Sequence, residues 1–400
     1  MLTKPVYLGA DAAHHYAHVW YVSDQIFHHA RLPLHVQYLE SGKALTFPYG
    51  VVPYVVTAIP YAVLGDWAVT AAMVLGVVLY GYAATRARPV LRDPRLLALV
   101  YLNAFLIEGI VSFQFAFLWS LVFFFFCVEA IDKRLWVHAA IWAVIAVTTH
   151  MVAGSIAVAA YALYALIRRP RDLVPLGSAM GVAALVCLPY LLYAHTTPSV
   201  SSTRVSYIIG TIKYMTRFRG AILVLPFIVA ALASYLKQLF VPALLTLAAV
   251  FGVRLAGNHV DTIGLKQNSS PFYREFINSP QFDRSLTYRV LEPNDQEDGA
   301  YQLIKNGAVL GQEFFNESQF RRWWYSLDMY SCFLGAKNID VVLFERSYPW
   351  KFNQNEQWPL TEFLKQGKAK ILYTDPEGRF VAFDVRGAKM PDAKLSDCGF

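Results

Sequence analysis

Asp11, His14 and His18 fall at i, i+3 and i+7, with His15 one step round. A helix through this stretch would stack a carboxylate and two imidazoles on one face. Such a face can bind a divalent metal through carboxylate and neutral imidazole, or present Asp11 as a base among histidines. The stretch from Gly9 to Leu34, GADAAHHYAHVWYVSDQIFHHARLPL, also reads as an interfacial amphipathic helix with solvated histidines. Tyr16, Trp20 and Tyr21 would then form a membrane-interface belt. A carboxylate beside a membrane domain usually marks a working site, which favours a functional role for Asp11. His28, His29 and His35 lack ligand-like spacing and read as surface residues.

Further along, Glu108 lies in LNAFLIEGIVSF, close to the end of an apolar run. A buried carboxylate needs a partner to offset desolvation, and His150 in TTHMVAG is one candidate. A structural pair and a substrate contact fit Glu108 equally well. Between positions 195 and 219 stand Arg204, Lys213, Arg217 and Arg219. These cations suit an anionic lipid head group, and a simple exception to loop-charge statistics accounts for them equally.

The elements that must position these groups are mostly apolar. Of the 400 residues 56% are hydrophobic and only 16% charged, too apolar for an ordinary soluble domain. The apolar residues fill most of positions 48–257 and thin sharply afterwards. Three regions follow: a polar loop with the acidic and histidine cluster over 1–46, a helical membrane domain over 47–257, and a small α/β domain over 258–400. Strand-like runs SLTYRVLE, NIDVVLFER, AKILYTD and GRFVAFDV carry the last region, with helices expected around 317–336 and 357–366.

Eight spans are expected within the membrane domain, near 67–85, 96–112, 114–131, 135–149, 151–167, 173–194, 220–236 and 239–257. The segment 47–65, with Pro48, Pro53 and Pro60, reads as a short re-entrant or interfacial helix. Arg86 to Arg95, Lys133 with Arg134, Arg168 to Arg171, and Lys237 mark the cytoplasmic connections under the positive-inside rule. Alternation then places residues 1–46 and everything after 257 outside the cytoplasm.

The formal charge of +7 is spread over short clusters between apolar runs, a topology signal rather than a phosphate-tracking groove, and argues against nucleic acid. Cys127 and Cys187 lie in apolar runs, while Cys332 and Cys398 could pair if their domain faces an oxidising compartment. No Walker loop, CxxC, GxSxG or HExxH is present, which removes the support for soluble nucleotide-hydrolase, redox and protease readings.

The order of GADAAHHYAHVW, a polar loop with RLPL, the Pro- and Tyr-rich FPYGVVPYVVTAIPY, helical hairpins including TTHMVAG, and a distal outer domain resembles the GT-C class of integral-membrane glycosyltransferases. The resemblance implies a GT-C-like helical membrane domain followed by an extracytoplasmic α/β domain. It implies transfer of a sugar from a polyprenyl-phosphate donor to a glycan, lipid or protein acceptor. Asp11 would be the acidic catalytic residue, acting as base or positioning the acceptor, with Glu108 as a second acidic candidate. His14, His15, His150, Arg204, Lys213, Arg217 and Arg219 would contact substrate. The class places a transmembrane helix ahead of its acidic loop, whereas this sequence opens on the loop itself. Other readings of the same features are a non-catalytic protein that binds lipid-linked glycan or assists a membrane partner, and a transporter or flippase.

Overall fold

The computed structural model describes residues 12–42, 44–45, 50–87, 114–196, 271–291, 299–311, 326–345 and 351–398. The chain divides into two compact units, one holding Phe47–Thr197 and Thr203–Leu265, the other holding Ala10–Thr46 and Lys266–Phe400.

In the second unit a five-stranded mixed sheet is built from β3 (Thr287–Leu291), β4 (Val309–Leu310), β5 (Val341–Glu345), β6 (Lys370–Thr374) and β7 (Phe380–Asp384). The short pieces β1 (His35–Val36) and β2 (Ala44–Leu45) form a separate antiparallel ladder. The strand order is β4-β3-β5-β7-β6, parallel across β4, β3 and β5 and antiparallel beyond. The strands arise where alternating apolar runs were visible, since SLTYRVLE, NIDVVLFER, AKILYTD and GRFVAFDV each contain one. Both sheet faces are covered, so Thr287, Tyr288, Arg289 and Val290 are all buried in succession.

One face carries α10 (Leu327–Ala336) and α11 (Lys351–Lys365), whose Tyr330, Phe333, Leu334, Leu360 and Phe363 pack on Val342, Phe344, Val381 and Phe383. The opposite face carries the short helix α8 (Pro271–Ile277), whose Phe276 meets Tyr288, Tyr373 and Phe380 in an aromatic cluster. Ser326 caps α10 by accepting from the Met329 amide. Cys332 of α10 and Cys398 are joined by a disulfide, with Cα atoms 5.6 Å apart.

The N-terminal helix α1 (Ala12–His29) belongs to this α/β unit although some 250 residues separate it from the sheet. It packs on α9 (Gly299–Lys305), with the rings of Tyr16 and Tyr301 5.9 Å apart. The segment after it is stitched to the same unit: the Leu310 amide donates to the Tyr38 carbonyl, and Ser41 donates to the Lys337 carbonyl.

The first unit is helical: α2 (Val51–Leu64), α3 (Trp67–Arg86), α4 (Phe115–Asp132), α5 (Trp136–Thr149), α6 (Met151–Arg168) and α7 (Leu173–Thr196). Among the described residues, Trp67–Arg86, Phe115–Asp132 and Pro170–Pro189 are long and apolar enough to cross a membrane. The expected span 135–149 contains a helix of 14 residues, about 21 Å at 1.5 Å per residue and short of a ~30 Å hydrocarbon core. The segment 47–65 likewise contains a 14-residue helix, α2. The expected spans 96–112, 220–236 and 239–257 lie outside the described residues.

The C-terminal ends of α3, α4 and α6 are joined by ion pairs. Glu129 meets Arg86 at 2.6 Å and Lys133 at 2.5 Å, while Arg169 bridges Asp132 at 2.6 Å and Asp172 at 3.0 Å. Three connections that carry basic residues in the sequence therefore share one end of this helical unit.

Candidate functional site

Helix α1 turns the sequence spacing into a geometry. The His14 and His18 rings, one turn apart, lie 3.9 Å apart between centroids with their planes tilted by 40°, and His15 meets His14 edge-on at 5.4 Å. All three are buried, at 3%, 5% and 2% exposure, so the picture of solvated histidines on an interfacial helix does not hold for them. The reason is the docking of α1 into the α/β unit, which buries its first three turns nearly all round, as Tyr16, Val19, Tyr21 and Val22 show. His28 and His29, in the last turn, are exposed and pair with Asp24.

The His18 Nδ1 lies 2.9 Å from the His14 carbonyl oxygen. A carbonyl only accepts, so Nδ1 carries a proton. Burial first, and then the neighbouring His18 and His15, hold the His14 imidazole well below its usual 6.5. The His14 ring is therefore neutral at neutral pH, with a nitrogen lone pair suited to accept a hydrogen bond. Asp11 directly precedes the described helix and itself lies outside the described residues.

The depressed His14 value makes the docked helix acid-sensitive. Between that value and 6.5 the unfolded chain binds more protons than the folded chain. The contribution of neutral His14 is complete above about 6.5 and falls as pH drops below it, by up to about 1.4 kcal/mol per pH unit. Thermal unfolding of the α/β unit across this range is expected to show the loss, and His14→Gln to flatten it. An unaltered slope in the variant would assign the loss to another group.

For a divalent metal, His14 and His18 supply two nitrogens on one face, fewer than the three or four protein ligands of a resident zinc site. Among the described residues no group of three His, Cys, Asp or Glu side chains is arranged to hold an ion.

In the helical unit, His150 stands between α5 and α6. Its Nδ1 accepts from the Ala153 amide at 3.0 Å, capping α6, and its ring meets Phe117 edge-on at 5.7 Å. Ser120 of α4 donates to the Ala146 carbonyl at 2.8 Å, and the Gly50 amide donates to the Thr149 carbonyl at 2.6 Å. Gly50 has φ 79°, and a Cβ there would meet the buried Tyr54 ring at 2.8 Å, so glycine is required at the start of α2. His150 thus anchors a junction of α2, α4, α5 and α6. Its proposed partner Glu108, and the cations Arg204, Lys213, Arg217 and Arg219, lie outside the described residues.

One polar cluster escaped the sequence reading. Arg289 of β3 and Glu356 of α11, each 4% exposed, form a bidentate pair at 2.9 Å and 2.5 Å. Tyr330 of α10 donates to the same carboxylate at 2.7 Å, and the guanidinium lies 4.9 Å from the Phe333 ring centroid. An arginine in the middle of SLTYRVLE was the available signal; its partner, 67 residues on, had none. The pair binds sheet to helices and faces no catalytic group among the described residues. No family model, no curated protein and no solved structure matches the chain.

Proposed function

We propose that this chain is a polytopic membrane glycosyltransferase of GT-C type, which moves a sugar from a polyprenyl-phosphate donor to a glycan, lipid or protein acceptor outside the cytoplasm. The observation that carries the reading is the placement of α1. The helix that starts directly after Asp11 and bears buried His14, His15 and His18 is built into the disulfide-bonded α/β unit, while a separate unit supplies the apolar helices. Three buried imidazoles are thereby held in a folded polar unit that the same chain tethers to apolar helices. The disulfide fits an oxidising compartment. The joined basic ends of α3, α4 and α6 fit a single cytoplasmic face.

Sugar transfer from a phosphate leaving group needs an acceptor hydroxyl made more nucleophilic and the developing phosphate charge neutralised. Asp11 would accept the hydroxyl proton, with the α1 histidines fixing its surroundings. Arg204, Lys213, Arg217 and Arg219 would attend the phosphate, with Glu108 and His150 as further polar groups. The lipid donor approaches from the bilayer, and nucleic acid has no place in the reading.

The test is release of polyprenyl phosphate from a defined polyprenyl-phosphate sugar by the purified chain in lipid. Asp11→Asn is expected to lower release by on the order of 10²-fold or more, the usual contribution of a positioned general base. Release by the variant at the parent rate removes Asp11 from the chemistry. Donor binding without release by the parent chain would favour a lipid-linked-glycan binding role instead.

A further inference from the structure

Immediately after the buried turns of α1, the surface changes character. Phe27, Leu32 and Leu34 are 52%, 53% and 52% exposed, large apolar side chains set in water on a folded polar unit. Their placement is fixed by the chain. The Ala30 amide donates to the Ile26 carbonyl and the Arg31 amide to the Gln25 carbonyl, both at 3.1 Å, which closes the helix through Ala30 at φ 51°. The Arg31 guanidinium donates to the Gln25 side chain at 2.6 Å. Pro33 is buried between the two exposed leucines, so the loop is pinned at its middle and displays Leu32 and Leu34 on either side.

We infer that Phe27, Leu32 and Leu34 form a lipid-docking edge, which rests in the interfacial layer of the bilayer that takes the chain's own apolar helices. This rests on the membrane part of the reading above and not on the transfer chemistry. Three observations select lipid. Chain connection comes first: Leu34 leads into His35, which pairs with Leu45, and six residues after Leu45 the chain enters the apolar helix Val51–Leu64. Size is second: three side chains fall well short of the roughly 800 Å² per partner that a stable protein interface buries, whereas an edge already tethered to a membrane needs no such area. Composition is third. Arg31, next to Leu32 in the chain, is exposed and suited to anionic head groups, and the exposed His28 and His29 add polar groups of the kind found at a bilayer surface.

The experiment uses the full chain in nanodiscs with Cys127 and Cys187 replaced by alanine and the Cys332–Cys398 disulfide kept. A single cysteine carrying an environment-sensitive fluorophore is placed by Leu34→Cys, Val78→Cys or Ile371→Cys, and quenching by lipids spin-labelled near the head group is compared with quenching by lipids labelled deep in the chain. Val78, 62% exposed on α3, and Ile371, 54% exposed on β6, are the references. The inference expects quenching at position 34 by the shallow label, quenching at 78, and little at 371. No quenching at 34 with quenching at 78 overturns the docking edge and leaves the membrane reading standing. No quenching at 78 overturns the membrane reading itself, and equal quenching at 34 and 371 shows that the edge is not specific and overturns it too.

Discussion

Glu356→Ala is expected to destabilise the α/β unit by about 3–5 kcal/mol, the cost of leaving a buried charge without its partner. Arg289 and Glu356 are each 4% exposed, so removing the carboxylate strands a guanidinium where water does not reach it. It also removes the acceptor of the Tyr330 hydroxyl, which sits in the same buried cluster. Arg289 pairs in register with Val342 of β5, so the stranded charge lies over the middle of the sheet, where the strands cannot separate to admit water without losing their ladder. Hydrogen exchange of β3 and β5, with thermal unfolding of the purified chain, would read the loss. The double variant Arg289→Met with Glu356→Leu is expected to recover most of it, because apolar side chains of similar volume leave nothing unpaired. A single variant that costs under about 1 kcal/mol would show that the pair is solvated in solution.

The sheet was legible because its four longer strands keep alternating or continuous apolar patterns, bounded by polar and turn residues. The two-residue β4 and the seven-residue helices α8 and α9 were not, since segments that short contain too few residues to show a period. That His14 and His18 share one helix face followed from helical spacing alone, and their ring centroids lie 3.9 Å apart. Their burial could not be read locally. It depends on Tyr16 meeting Tyr301 and on Leu310 bonding Tyr38, contacts between positions some 250 residues or more apart. The same limit hid Glu356 behind Arg289. The cap role of His150 is a local hydrogen bond, yet TTHMVAG marks only a helix boundary and does not say which nitrogen accepts.

Removing the disulfide should cost nearly as much, and under the proposed membrane reading its redox state reports which side of the membrane the α/β unit faces. The bond closes a loop of 66 residues that contains β5, α11, β6 and β7, so it constrains three of the five strands. The loop-closure entropy for that length corresponds to about 4 kcal/mol at 25 °C, within the usual 2–5 kcal/mol for a native disulfide. Cys332→Ser with Cys398→Ser is therefore expected to lower the stability of this unit by that order, and reductant should lower the parent chain alone. The chain has four cysteines, of which Cys127 and Cys187 are free thiols in the helical unit. Alkylation after denaturation of protein taken directly from membranes is expected to label two thiols without reductant and four with it. Such a bond persists in an oxidising compartment and is reduced in the cytosol, so two labelled thiols place β3 to β7, and helix α1 docked with them, outside the cytoplasm. Four labelled thiols without reductant would put the unit on the reducing side. Asp11 and its histidines would then face away from an extracytoplasmic acceptor, and the transferase reading would fail on topology before any activity was measured.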